Sequence, residues 1–405
     1  MPRVIATSDL HLGACWSDMS RKAKEKRLGD LLKNLDRIVD YAIEQEADVL
    51  VIAGDIFHKK GITELIRQEF AKRIRKARHH GVHVVLVAGN HDRVTPGLIP
   101  EGADSRVSRI GAYGVTVKGE GLIIAGGSIQ VDLIDCKDGE KLGVVAVPYF
   151  PQEFLEEKTK DPAEYVNSVF RTRIKEVVQD LRKRGADHVV LVTHGSVEAA
   201  ITETERKLGD VVDYCLSLES LRSSGADLVI IGHVHKPQEW KNYGVWYPGS
   251  IERLDFGEIN DQKSFIDAVL RRTDREVKRI PLECRPMFHA ELSHKDYGSV
   301  DEILRDLREI YGESLKDSLL RVRVRTNLRT SQVRRAIEEE FSPLYVLVER
   351  VKEVRQYKAE PVPRPKIERE HLKKCLKDRY PTYEDEIIEE AVNRAIRLAR
   401  EVESD

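Results

Sequence analysis

Residues 48–55 read Asp-Val-Leu-Val-Ile-Ala-Gly-Asp, and the fold class follows from this stretch. A nearly continuous β-branched run without polar alternation belongs to a strand covered on both faces, as in an α/β sheet with helices on either side. A glycine and a carboxylate follow at once, where open α/β sheets bind their ligands. The layout recurs: Val82-His-Val-Val-Leu-Val-Ala88 leads into Gly89-Asn90-His91-Asp92, and Asp187-His-Val-Val-Leu-Val-Thr193 into His194-Gly195. Asp227-Leu-Val-Ile-Ile231 leads likewise into Gly232-His233-Val234-His235. A strand over 3–8 ends the same way in Asp9-Leu10-His11. Charged or polar segments at 37–47, 68–80, 180–185 and 220–225 precede the other four runs.

Between these units, 115–131 and 142–147 read as shorter strands with turn glycines. Residues 238–247 read as a hairpin around Asn242-Tyr243-Gly244, and 263–270 with 276–282 as antiparallel strands. Near Pro286 the pattern changes. Strand 288–292, helix 300–311, strand 319–326, helix 331–341 and strand 345–351 spell a small βαβαβ unit. Pro361-Val362-Pro363-Arg364-Pro365 cannot continue a helix or a central strand and reads as a linker. Beyond it Ile387, Ile388, Ala391, Val392, Ala395, Ile396 and Ala399 form one face of a helix starting near Tyr383. The expected domains are 1–284, 285–357 and 358–405.

A chain of 405 residues carries two to three domains, and 41% hydrophobic residues suffice for one large core and a smaller one. Charged residues at 34% fit a surface laced with ion pairs. The net charge of −2 excludes a globally basic nucleic-acid binder, so DNA contact would need local Lys and Arg clusters. Five scattered cysteines with no CxxC pair indicate neither a disulfide scaffold nor a zinc knuckle. With a strand opening at Arg3 and no apolar run near ~18 residues, the expectation is a soluble, cytoplasmic protein without membrane contact.

The strand ends carry Asp9, His11, Asp55, His58, Asn90, His91, Asp92, His194, His233 and His235. Carboxylates, an amide oxygen and imidazoles suit a divalent ion such as Mn²⁺, with Fe²⁺ or Zn²⁺ also open. The lack of cysteine argues against structural zinc. A carboxylate such as Asp55 bridges two ions at roughly 3.5–4 Å in two-metal hydrolases. One histidine at a strand end is more often structural, and Gly-Asp or Gly-Asn alone is turn chemistry. Five such clusters at the same end of five strands are not coincidence.

Asp9-Leu10-His11, Gly54-Asp55-Ile56-Phe57-His58, Gly89-Asn90-His91-Asp92, Thr193-His194-Gly195 and Gly232-His233-Val234-His235 resemble the five motifs of calcineurin-like metallophosphoesterases. The resemblance covers roughly residues 3–255. Where protein phosphatases have Asp-Arg-Gly in the second motif, this chain continues from Asp55 to Phe57-His58. That form, with Pro248-Gly249-Ser250-Ile251-Glu252-Arg253 after the last motif, is similar to the SbcD and Mre-eleven nucleases. It implies an α/β fold: a metallophosphoesterase β-sandwich flanked by helices, a small α/β capping domain and a helical C-terminal tail. It also implies two Mn²⁺, one held by Asp9, His11, Asp55 and His235, the other by Asp55, Asn90, His194 and His233. His91 would contact the scissile phosphate and help the leaving oxygen depart, with His58 a second phosphate contact. Asp92 either orients His91 or is a turn aspartate.

The implied activity is DNA exo- and endonuclease cleavage in double-strand-break repair, near the nucleoid. Its substrates are duplex ends, hairpins or single strands. The implied assembly is a homodimer working with a Rad-fifty or SbcC type coiled-coil ATPase docked on the tail. The competing readings are a phosphoesterase for small nucleotides or phosphoproteins, and a structural subunit that tethers DNA ends. The extra domain and tail argue against the former, the intact ligand set against the latter.

Other residues carry weaker signals. Lys22–Arg27 either touches phosphates or is a solvated helix face. Arg321, Arg323 and Arg325 alternate on one strand face and either track a DNA backbone or solvate the sheet. Arg334-Arg335 reads as an exposed helix turn. Tyr243 and Trp246 read as hairpin packing before base stacking. Ile66, Phe70, Ile74 and Ala77 form a helix stripe that either builds the dimer or covers the sheet.

Overall fold

The computed structural model describes residues 1–58, 63–92, 109–110, 115–116, 121–200, 214–272, 274–351, 369–380 and 384–403, with backbone alone at 109–110, 115–116 and 397–403. The chain divides into two units, Met1–Val351 and Lys352–Asp405.

Strands β1 (Arg3–Thr7), β2 (Val49–Ala53), β3 (His83–Val87) and β4 (Leu122–Ala125) run parallel in one sheet. The chain then builds a second sheet from β5 (Gln130–Asp135), β6 (Lys141–Ala146), β7 (His188–His194), β8 (Leu228–Gly232), β9 (Gln238–Trp240) and β10 (Val245–Tyr247). It returns as the hairpin β11 (Ser264–Leu270) and β12 (Arg275–Pro281), which adds antiparallel to β1. The strand orders are β12-β11-β1-β2-β3-β4 and β9-β10-β8-β7-β6-β5.

Every residue of β2, β7 and β8 is buried, as their apolar runs require. The apolar runs alone suggest helices on both faces of a sheet; the layers form instead the β-sandwich flanked by helices that the resemblance implies. Among the described residues, each sheet has helices on one face and turns the other toward its partner sheet. Val4, Ala6, Val49, Val51, Val85 and Val87 pack against Val144, Ala146, Val190, Val192, Leu228 and Ile230. On the outer face of the first sheet, Leu50, Ile52 and Val84 meet α1 (Arg21–Glu44) and α2 (Glu64–His79). On that of the second, Val189, Leu191 and Val229 meet Phe170, Ile174 and α3 (Lys175–Lys183).

Helix α1 begins well before residue 37, because the Ser20 side chain caps it by accepting from Ala23 N–H. Of the basic stretch at its start, Arg27 does neither thing expected of it. It is 1% exposed, with NH1 3.3 Å from Glu252. Phe70, Ile74 and Ala77 of α2 are buried against the sheet and the partly buried Ile66 packs beside them, so the stripe covers the sheet. Trp246 lies in the core between the sheets, and Tyr243 packs beside the outer core of the second sheet.

The small unit forms as the sequence reads it. Strands β13 (Met287–Tyr297), β14 (Leu319–Thr326) and β15 (Tyr345–Arg350) are parallel, and α4 (Val300–Tyr311) and α5 (Thr330–Phe341) cover one face through Ile303, Leu307, Val333 and Ile337. The arginines share the other face, but Arg321 is 2.7 Å from Glu349 and Arg323 is 2.9 Å from Glu291. Arg334 reaches Asp18 at 2.5 Å rather than standing alone in solvent.

In the second unit, α6 (Arg369–Arg379), which the sequence reading lacked, pairs with α7 (Asp385–Glu403). The ion pairs run in opposite chain directions, Arg369 with Glu389 at 2.7 Å and Lys377 with Asp385 at 2.5 Å, so the helices are antiparallel. Ile388 and Val392 are buried while Ile387 is 49% exposed, so the apolar face is narrower than expected. The proline linker, Tyr383 and the Ala399 side chain lie outside the described residues. Among the described residues, no strand follows Arg350, and no helix is long and apolar enough to cross a membrane.

Candidate metal centre

The ligand-type residues lie just past the carboxyl ends of β1, β2, β3, β7 and β8, where the two sheets meet. The chain turns sharply there. Asp9 (φ 50°), His11 (φ 41°), Asp55 (φ 50°) and His233 (φ 111°) all hold positive φ without being glycine. Strain of this kind persists only where surroundings over-determine it, and it clusters at functional sites. Two glycines permit the close approach of the sheets. A Cβ on Gly54 (φ +91°) would stand 2.1 Å from His194 Nδ1, and one on Gly232 only 1.8 Å from the Ala53 carbonyl oxygen. Gly232→Ala is therefore expected to cost about 1–3 kcal/mol by overpacking and to weaken ion binding. Thermal unfolding with and without Mn²⁺ checks this, and a wild-type Tm in both would remove the argument.

Acceptor atoms converge in two clusters. His194 Nδ1 donates to the Ala53 carbonyl at 2.9 Å, so its Nε2 lone pair faces Asn90 Oδ1 at 3.0 Å and Asp55 Oδ2 at 3.5 Å. His233 Nδ1 lies 3.2 Å from the same Asn90 oxygen. In the other cluster, His235 Nδ1 donates to Glu258 Oε1 at 2.9 Å, which turns its Nε2 lone pair on His11 Nε2 at 3.1 Å. His11 Nε2 is in turn 3.6 Å from Asp55 Oδ2. Ligand atoms of Asp9, His11 and His235 fall within 4.8 Å of one another, as do those of Asp9, Asp55 and His194. Lone pairs set face to face repel unless a cation lies between them, so the residues fit bound divalent ions. Asp55 faces both clusters. The oxygen and nitrogen donors, without sulfur, suit ions of the manganese class.

The calcineurin-like phosphoesterase family model matches residues 2–237, which carry all five clusters. The chain belongs to that family. Among its relatives, the DNA double-strand break repair protein Mre11 of Aeropyrum pernix is 24% identical over 314 residues, 76% of this chain and 68% of that one. Mre11 of Archaeoglobus fulgidus is 24% identical over 333 residues, 79% and 67% of the two chains. The SbcD component of the SbcCD nuclease of Bacillus subtilis is 26% identical over 276 residues, 65% and 64%. The resemblance to SbcD and Mre-eleven read from the motifs agrees with these relatives.

In this phosphoesterase the electrostatics follow from burial and close charges. At His194 burial opposes a charge, but Asp55 draws the imidazole up to about 10. Burial also opposes ionisation of Asp55, yet His194 and His11 hold its carboxyl well below the ordinary range. The attraction between this carboxylate and the imidazoles favours positive charge in the cluster, which a bound metal ion would supply. His11 goes the other way, because burial pushes it well below its ordinary value against the pull of Asp55.

His91 and His58 sit at the mouth, their rings stacked at 5.7 Å, with His91 exposed. His91 Nδ1 donates to the His58 carbonyl at 2.8 Å, and its backbone N–H to Asp55 Oδ1 at 2.9 Å. Asp92 does not orient the His91 ring. Its carboxylate accepts from Ile56, Phe57 and Gly89 N–H at 3.1 Å each, tying two loops together. Burial and the charge of Asp55 push it up to about 7, against those three amides.

Three supporting residues escaped the sequence reading. Tyr214 donates to the His194 carbonyl at 2.9 Å, and Tyr247 to the Gly195 carbonyl at 2.5 Å. Glu258 holds His235 and is itself held by Lys263 at 2.7 Å. Among 69 acidic residues nothing in sequence marks Glu258 out.

Proposed function

We propose that this chain hydrolyses DNA phosphodiester bonds with two divalent ions, manganese foremost, as the nuclease subunit that processes double-strand breaks. The observation that carries the reading is the pair of acceptor clusters sharing Asp55, with His91 and His58 at their mouth. One ion takes Asp9, His11, Asp55 and His235, and the other Asp55, Asn90, His194 and His233. When bound, the ions supply a nucleophilic water at neutral pH and neutralise phosphate charge. The protein's own part is to hold the rings in one tautomer and present a proton donor. With Nδ1–H committed to the His58 carbonyl, His91 Nε2 is the atom that meets the leaving oxygen. The names of the relatives support DNA as the substrate. Digestion of duplex ends, hairpins and single strands with Mn²⁺, with Mg²⁺ and with chelator tests it. Equal cleavage with chelator present would overturn it.

The proposed domains are 1–284 for the nuclease, 285–357 for the cap and 358–405 for the tail. For Arg321 and Arg323 to touch DNA they must exchange Glu349 and Glu291 for phosphates; Arg325 completes the row. The partners are a second copy of the chain and a coiled-coil ATPase of the SbcC type, bound through the tail helices in a helix-in-groove mode. A variant lacking residues 361–405 is expected to keep its manganese-dependent nuclease activity and lose co-purification with that ATPase. Full-affinity binding by the truncated chain would exclude the tail as the docking element.

A further inference from the structure

Two of the ligand histidines, one in each cluster, are held from behind by different groups. His194 donates its Nδ1–H to a neutral carbonyl, Ala53, at 2.9 Å. His235 donates its own to a carboxylate, Glu258 Oε1, at 2.9 Å. Glu258 is 3% exposed, and its position is set from several sides. Oε2 accepts from Leu254 N–H at 3.1 Å and from Ser250 Oγ at 3.4 Å. Lys263, fully buried, meets Glu258 at 2.7 Å and Asp261 at 3.2 Å, and donates to the His235 carbonyl at 3.0 Å. One lysine therefore clamps both the backbone of the ligand histidine and the carboxylate on its ring.

A buried ion pair is a poor source of stability, because desolvation offsets the attraction. It does fix geometry. A carboxylate behind a metal-bound imidazole raises its basicity and sets its tautomer, and losing such a partner typically costs about 10–100-fold in metal affinity. A carbonyl orients the ring without adding a charge.

We infer that Glu258, clamped by Lys263, is a positioning residue for His235 that makes the Asp9–His11–His235 cluster the tighter of the two ion sites. This rests on the ligand assignment proposed above. The two ions then load in order, this cluster first. Glu258→Gln keeps an oxygen able to accept from His235 but removes the charge. It should weaken one ion by about 10–100-fold and leave the other within about threefold, the scatter expected of an indirect effect.

Calorimetric Mn²⁺ titration of the full, chelator-stripped chain reads this directly. Wild type should show two resolved steps, and Glu258→Gln should lose the tighter one. Lys263→Met should follow it, and Glu258→Asp should recover part of the difference. A His235→Ala control separates the two readings. If it retains both ions at full affinity, the ligand assignment fails. If it loses one ion while Glu258→Gln binds both as wild type does, the ligand set stands and this inference falls. Weakening of both ions equally by Glu258→Gln, with lowered Tm, would mean a general structural role and would also overturn it.

Discussion

In an Asp55→Ala variant both ions should be lost together, and nuclease turnover should fall by roughly 10³-fold or more, the equivalent of several kcal/mol of transition-state stabilisation. The reason is geometric. A single oxygen, Asp55 Oδ2, stands 3.6 Å from His11 Nε2 and 3.5 Å from His194 Nε2, so one carboxylate faces both clusters. Its other oxygen accepts from the His91 backbone at 2.9 Å, so the loop bearing His91 loosens as well. Asp55 also sits at φ 50°, where alanine is strained and asparagine is tolerated. Asp55→Asn therefore separates loss of charge from loss of backbone shape. Metal content by mass spectrometry on folded protein, checked by circular dichroism, decides the matter. Two ions retained per chain in either variant would remove Asp55 as the shared ligand.

His91 should behave differently. His91→Gln is expected to keep both ions and DNA affinity while losing about 10²–10⁴-fold in turnover, the usual contribution of a positioned proton donor. The ring is exposed at the mouth, and Nδ1–H already donates to the His58 carbonyl at 2.8 Å. That bond leaves Nε2 as the ring nitrogen that would meet a bound phosphate. Single-turnover rates, metal content and DNA binding measured on the same sample separate the alternatives. Metal lost in proportion to activity would make His91 a ligand, consistent with the approach of His11, His58 and His91 ligand atoms to within 4.8 Å of one another.

The site's ligand-type residues could be read because each lies within five residues of the end of its strand. A β-branched run followed by Gly-Asp or Gly-Asn-His is a local signal, and local signals survive in sequence. Glu258 and Lys263 were not legible. They reach His235 across 23 and 28 residues of chain, through a short turn that no periodicity announces. The choice between the two readings of Asp92 was not legible for a related reason. Adjacent to His91 in sequence, it points to amides 36 and 35 residues away, at Ile56 and Phe57. Arg27 sits in a basic run that looks solvated, and burial against Glu252 emerges only when α1 lies on the sheet.

By itself the sequence determined the strands, their shared carboxyl-end chemistry, the small βαβαβ unit and the α/β class, because hydrophobic period and turn residues are properties of neighbours along the chain. Tertiary structure alone decided which face of each strand meets a helix and which meets the other sheet, since both environments select the same apolar side chains. It alone decided that the α2 stripe lies inside the core and that Ile387 and Ala391 stand outside the face of α7. It alone set a carboxylate behind His235 and a carbonyl behind His194. Those partners come from distant segments, and their contact depends on the packing of whole sheets rather than on any pattern a single strand can carry.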